Sequence, residues 1–238
     1  MTNFKIQIIS DSVCPWCYIG FKRLSRAITS HKSQHPTDKF TITWKAFYLN
    51  ASSPTYPGTD KQEMYKAKFG AERVAAMFAR LAPIGESEGI HFSFGGNTGA
   101  TRDSHRLIWF AGEIEKQQQR EASATTSGAG EAIGGIQTRV VENLFRAYFE
   151  EEKNITDRAV LSEAGISAGL DGGAVRALLD DEDGIDEGGE EVDDEAAAAS
   201  RQLVSGVPYF EVQGKYAIEG ADEPETFLEI FQRVKDDE

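Results

Sequence analysis

The chain has 238 residues, 25 Lys and Arg against 39 Asp and Glu, a formal net charge of −14 and two cysteines. A chain of this length buries a sizeable core without a covalent staple. No stretch reaches the roughly 18 apolar residues of a membrane span, and nothing offers the basic stripe that binds nucleic-acid phosphates.

In chain order, FKIQIIS puts Phe4, Ile6 and Ile8 on one face and Lys5 and Gln7 on the other, the period of a strand. Asp11 and Ser12 follow as capping residues, and Pro15 opens a helix whose inward positions are Tyr18, Phe21, Leu24 and Ile28. FTITWKAF, residues 40–47, alternates again and is a second strand. From Asp60 to about Asp180 the period is helical, with stripes at Val74, Met77, Phe78 and Leu81; Leu107, Ile108, Phe110 and Ile114; Val141, Leu144, Phe145 and Tyr148; and Val160, Leu161 and Ala164. Residues 117–135 lack periodicity and are rich in Gly, Ser, Thr and Ala, so a flexible surface loop is expected there.

Residues 180–195, DDEDGIDEGGEEVDDE, hold eleven acids and no base, so that without them the net charge of −14 falls to −3. A hydrated loop leading into a helix is expected, with a docking surface for a basic partner as the alternative. Val192, Ala196, Ala199 and Leu203 then mark a short helix ended by Gly206. VPYFEV, a Gln213-Gly214 turn and KYAIEG give a hairpin, and Pro224 opens a last helix with Phe227, Ile230, Phe231 and Val234 inward. The order is strand, helix, strand, helical stretch, helix, hairpin, helix. This is an α/β thioredoxin-like fold in two pieces, 1–58 and 190–238, around a large all-helical insertion at 59–189.

Both cysteines lie in SDSVCPWCYIG, residues 10–20. The start of the chain lacks the basic and apolar regions of a secretory leader. A cytoplasmic location is therefore expected, where a C-x-x-C pair is redox-active or metal-binding before it is a structural disulfide. Cys14, Cys17, His31 and His35 have the spacing of a two-cysteine, two-histidine zinc site. Against it, the cysteines open a helix where a finger uses a hairpin knuckle, and His35-Pro36 ends the helix. The other reading of His31 and His35 is a polar pair near the exposed end of the first helix. His91 and His105 have no partner by spacing.

The redox reading accounts for more of the residues. Cysteines at i and i+3 on one helical turn are within reach of a disulfide. At a helix N-terminus the free N–H groups and positive dipole end favour the thiolate of Cys14, making it the exposed attacking thiol. Cys17 is then the resolving thiol, covered by the turn and by Val207-Pro208. A cis bond at Pro208 would leave the Val207 backbone free to pair with an extended substrate, and an ordinary trans proline on an edge strand is the alternative. Pro15, Trp16, Val207 and Pro208 make the candidate substrate-binding surface.

CPWCYIG after a strand, TWKAFYLN, KFG, EGIHF, TRDSHRLIW, LFRAYFEE and GVPYFEV followed by YAIEGA resemble the DsbA-like FrnE family of thiol-disulfide oxidoreductases. That resemblance implies a thioredoxin fold with a helical insertion, Cys14 as attacking cysteine, Cys17 as its partner and Pro208 as a cis-proline. It implies thiol and disulfide substrates, with no cofactor beyond the redox-active disulfide and glutathione as a candidate co-substrate. Where the family has Asn-Thr shortly before its His-Arg, this chain has GGNTGATRDSHR, so either Asn97-Thr98 is displaced or Ala100-Thr101 replaces it. The superfamily also resembles kappa-class glutathione transferases and chromene-carboxylate isomerases, which usually carry serine at the attacking position and no second cysteine. Pro15-Trp16 places no positive charge between the cysteines, so the couple should be less oxidising than that of DsbA.

Overall fold

The computed structural model describes residues 1–122, 133–180, 186–201 and 204–238. Strand β1 (Asn3–Ser10) pairs in parallel with β2 (Lys39–Ala46), in the register Phe4 to Phe40 and Ser10 to Ala46. Between them runs helix α1 (Pro15–Gln34), whose inward residues Tyr18, Phe21, Leu24 and Ile28 are all buried. On the other side of β1 lies an antiparallel hairpin, β5 (Tyr209–Val212) and β6 (Tyr216–Glu219), giving the sheet order β2-β1-β5-β6. Gln213 and Gly214 turn the hairpin with φ of 57° and 65°, both in the left-handed region that such two-residue turns use. Gln213 offsets its own backbone cost with two bonds to β1, accepting from the Lys5 N–H at 3.0 Å and donating to the Asn3 carbonyl at 3.3 Å.

Even-numbered positions of β1 face the main core. Phe4 stacks on Phe40 and meets Phe231 of α9 (Pro224–Asp236), which lies beside α1. Ile9, on the opposite face, packs on Ala199 of α8 (Gly189–Arg201) and on Val204.

The remaining elements lie between β2 and β5. The two-residue strands β3 (Thr59–Asp60) and β4 (Asn97–Thr98) pair antiparallel. Helices α2 (Lys61–Phe69), α3 (Ala71–Ser87), α4 (Arg102–Ala122), α5 (Ile136–Phe149), α6 (Arg158–Ser167) and α7 (Gly172–Asp180) complete the insertion. Asn97-Thr98 is thus strand, with Thr98 Oγ1 accepting from the buried Tyr148 hydroxyl at 2.8 Å. The Thr101 carbonyl instead starts α4 by accepting the His105 N–H at 3.0 Å.

One loop expectation is corrected. Residues 117–122 continue α4 as helix, because Gln, Arg, Glu and Ala favour helix even where an apolar stripe is lacking; residues 123–132 of the expected loop lie outside the described residues. The acidic stretch leads into α8 at Gly189, the helix start expected, and three of its carboxylates are paired. Asp186 and Asp193 both bind Arg102, while Glu195 takes the Ala46 N–H at 3.0 Å and the Lys45 ammonium at 2.5 Å. Residues 181–185 and Leu203 lie outside the described residues.

Lys61 is buried at the start of α2, donating to the Tyr148 carbonyl at 2.8 Å and sitting 3.8 Å over the Tyr148 ring. Burial lowers its pKa from 10.5 to about 8. Between those two values the unfolded chain holds a proton that the folded chain has released, so this group's contribution to stability rises with pH across that window. Relative to Lys61→Met, the wild type should gain on the order of 3 kcal/mol from pH 7 to pH 10.5. Urea midpoints of the two proteins along the series check this, and parallel curves contradict it.

Candidate active site

The site forms where β1 ends and α1 begins. The Asp11 carbonyl accepts the Cys14 N–H at 3.0 Å, closing the turn. The buried Asp11 carboxylate accepts the Leu49 N–H at 2.8 Å, so it joins the loop after β1 to the loop after β2. Asp11 and Ser12 therefore shape the turn but do not cap the helix; Cys14 itself holds the N-cap position, with extended φ and ψ of −95° and 111°. Pro15 follows at a position where no N–H is required. Trp16 is half-buried, with the Arg80 guanidinium 5.6 Å from its ring.

Both cysteines are unbonded thiols. Cys17 is 1% exposed, and burial pushes its thiol well above the ordinary range, with the neighbouring Cys14 sulfur adding to the effect. The expected contrast in exposure is corrected: Cys14 is itself only 4% exposed, and the Val207-Pro208 segment lies on it. The reason is geometric, since the Val207 carbonyl accepts the Cys14 S–H at 3.4 Å and so covers the sulfur at the N-cap. The Val207-Pro208 peptide is cis.

Gly20, one turn beyond Cys17, lets α1 approach this segment closely. A Cβ there would meet Pro208 Cγ at 3.0 Å, Phe210 Cζ at 3.1 Å and the Ala221 backbone at 3.3 Å. Gly20→Ala gains about 1 kcal/mol of helix propensity. Gly20→Val adds bulk without that gain, and such overpacking costs roughly 1–3 kcal/mol. Gly20→Val should therefore lower the urea midpoint and slow exchange chemistry, whereas a wild-type midpoint and rate would show that Pro208 yields freely.

The zinc arrangement is not formed. Cys17 and His31 sit on one unbroken helix, fourteen residues apart, which is about 21 Å along its axis. His31 is also not a surface residue: it is buried against Phe4, Phe40 and Phe231, with Nε2 3.0 Å from Asp38 Oδ2. Burial lowers the His31 pKa. Burial acts upward on the Asp38 carboxyl, but the Thr2 N–H, His31 and Lys235 hold it well below the usual carboxylate range. These two residues tie the end of α1 to the chain start and to α9. His35 stacks on His31 at 4.7 Å.

His105, which spacing left unpartnered, and Tyr65, which the sequence did not single out, both come close to the turn that carries the cysteines. His105, buried on α4, has Nε2 3.1 Å from the Phe47 carbonyl and 3.6 Å from Asp11 Oδ1. Tyr65 of α2 is close enough for Cys14 and Asp11 to act on it, and burial together with those two groups pushes its phenol up to about 12. Neither had a local signal, because both arrive from helices of the insertion. The sequence marked His105 only as part of the TRDSHR stretch.

A small 10 Å³ cavity borders Ser10, Ser12 and His105, and a larger cleft of about 800 Å³ opens between Tyr48, Tyr56, Arg102 and Arg158. Among the described residues no group of three or more His, Cys, Asp or Glu side chains is placed to hold a metal, and no helix is long and apolar enough to cross a membrane.

Comparison with known proteins gives a consistent result. The chain is 25% identical over 179 residues to the uncharacterized protein YwbO of Bacillus subtilis, covering 74% of this chain and 71% of that one. Its fold is similar to that of a probable DsbA oxidoreductase from Streptomyces coelicolor, with a TM-score of 0.79, 24% identity and coverage of 99% of this chain and 91% of the other. It is also similar to the cytosolic disulfide reductase DsbM from Pseudomonas aeruginosa, solved with GSH, at a TM-score of 0.52, 16% identity and coverage of 96% and 99%. The family model of the DSBA-like thioredoxin domain matches residues 5–232. With that match over nearly its whole length, on a thioredoxin-like sheet interrupted by helices, the chain belongs to the DSBA-like thioredoxin domain family.

Proposed function

We propose that this protein is a thiol-disulfide oxidoreductase of the FrnE-like kind, in which Cys14 attacks and Cys17 resolves. The observation that carries the reading is the position of Cys14 at the N-cap of α1, with a second thiol one turn inside and the Val207 carbonyl 3.4 Å from its sulfur. Negative charge on the Cys14 sulfur, as it attacks or leaves, faces the positive end of α1. Cys17 stays protonated and buried until a mixed disulfide forms on Cys14.

In the resting protein the Cys14 S–H occupies the Val207 carbonyl. Once that proton is lost, the carbonyl is free to accept an N–H from an extended substrate beside Pro208, the mode in which a peptide adds to a strand end. Pro15 and Trp16 form the other wall of this groove. The substrates are protein or small-molecule thiols and disulfides, and glutathione is the candidate co-substrate, which the GSH in the DsbM neighbour supports. The proposed site of action is the cytoplasm.

Reduction of insulin disulfides with glutathione as the electron source tests the reading. The wild type should turn over and Cys14→Ser should be inactive. Equal rates for the two proteins would refute the assignment.

A further inference from the structure

The alternation that buries Phe4, Ile6 and Ile8 puts Ser10 on the same inward face at the end of β1. A buried hydroxyl is costly unless it is hydrogen-bonded. Yet Ser10 Oγ is fully buried and, among the described residues, has no hydrogen-bond partner. No bond of ordinary geometry joins it to the Cys17 thiol, but it lies close enough to favour the ionised form of that sulfur. Beside it is the cavity of about 10 Å³, mostly apolar through Ile108, Leu144 and Phe145 but with Ser10, Ser12 and His105 on its wall, and with room for about one water.

The polar groups around this cavity have bonding capacity left. Ser104 Oγ donates to the Thr101 carbonyl at 2.7 Å, so the 2.7 Å contact between the two serines is donated by Ser12. Ser12 Oγ can still accept. His105 Nε2 donates to the Phe47 carbonyl, which leaves Nδ1 as the basic nitrogen of the neutral ring. Asp11 Oδ1 lies 3.6 Å from Nε2.

We propose that a water in this cavity links the Ser10 hydroxyl to His105, and that this path takes the proton Cys17 must lose when it resolves a mixed disulfide. The inference rests on the exchange chemistry proposed above. Cys17 needs such a path because, at 1% exposure, bulk water does not reach its proton. In the step, the Cys17 proton passes to Ser10 Oγ as the Ser10 proton passes to the water and a water proton to His105 Nδ1. The Cys17 sulfur bonds to Cys14 Sγ, the bond between Cys14 and the substrate sulfur breaks, and the substrate leaves as a thiolate protonated from solvent. The cysteine pair has then given two electrons to the substrate disulfide. Ser10 is a positioning residue in this scheme and His105 the proton acceptor.

The test is single-turnover mixing of reduced protein with oxidised glutathione, acid quenching, and intact-mass measurement of the Cys14–glutathione adduct as it forms and decays. Ser10→Ala should leave adduct formation within about twofold and slow its decay by roughly tenfold or more, the range of a lost proton-transfer group. His105→Gln should slow the same decay, and Ser10→Thr, which keeps the hydroxyl, should recover most of the loss. Decay of the Ser10→Ala adduct at the wild-type rate overturns the inference. So does equal slowing of formation and decay, the signature of a distorted site, or a Ser10→Thr protein as slow as Ser10→Ala. A wild type that forms no Cys14 adduct removes the exchange reading itself, an outcome distinct from normal formation with unslowed decay.

Discussion

Cys17→Ser protein incubated with oxidised glutathione or a disulfide-bearing protein is expected to accumulate one covalent adduct per chain, and Cys14→Ser protein to accumulate none. Exchange passes through a mixed disulfide, and the attacking sulfur must ionise and reach the substrate. Cys14 sits at the N-cap under a single carbonyl contact, whereas Cys17 lies one turn deeper with its thiol held protonated by burial. With Cys17 replaced, nothing inside the protein displaces the adduct, so its lifetime should lengthen by orders of magnitude. Intact mass after acid quenching reads this directly. Adducts of equal yield in both variants would mean that the roles are not divided as assigned.

The largest expected loss of stability lies away from the cysteines, at Arg106. Its guanidinium is 1% exposed on α4. Nε donates to the Glu187 carbonyl at 2.9 Å, Nη2 to the Leu178 carbonyl at 2.9 Å and Nη1 to Asp103 at 3.0 Å, with Asp186 at 3.3 Å. One side chain therefore ties the end of α7 and the approach to α8 onto α4, the helix that also carries His105 and Ser104. Arg106→Met keeps most of the volume but leaves two carbonyls without their donor, and breaking such a buried cluster costs about 3–5 kcal/mol. For a chain of this size that is a fall in Tm of roughly 6–20 °C. Arg106→Lys cannot span both carbonyls with one ammonium and should fall in between. A calorimetric scan of the three proteins checks the order, and an Arg106→Met midpoint within about a degree of wild type would contradict it.

The thioredoxin-like part was legible because each element carries its own period. Phe4, Ile6 and Ile8 alternate as a strand must, and Phe227, Ile230, Phe231 and Val234 recur as a helix must; all seven are buried. The nearness of Cys14 to Val207 was legible for a different reason, since a motif at each end of the fold is brought together by the parallel pairing of β1 with β2 and the antiparallel pairing with β5. Exposure was not legible. Whether a sulfur at an N-cap is open or covered depends on a carbonyl 193 positions away, and nothing local encodes it.

His31 failed for a related reason. Its spacing from the cysteines suggested a ligand and its place near a helix end suggested solvent, but the decisive contacts come from Asp38, Phe4 and Phe231. His105 and Asp11 likewise meet only because α4 packs against β2, next to the loop that follows β1. The pairing of the acidic stretch was not legible because its partners, Arg102 and Lys45, are distant in sequence.

The central claim is that Cys14 and Cys17 form one two-electron couple. Equilibrating the protein in glutathione redox buffers and following Trp16 fluorescence with parallel intact-mass measurement tests it most directly. A single reversible transition is expected, with loss of the mass of two hydrogen atoms, complete within the roughly −180 to −270 mV range of cellular thiol couples. A protein that remains a dithiol throughout, or that gains only a stable glutathione adduct on one cysteine, would contradict it.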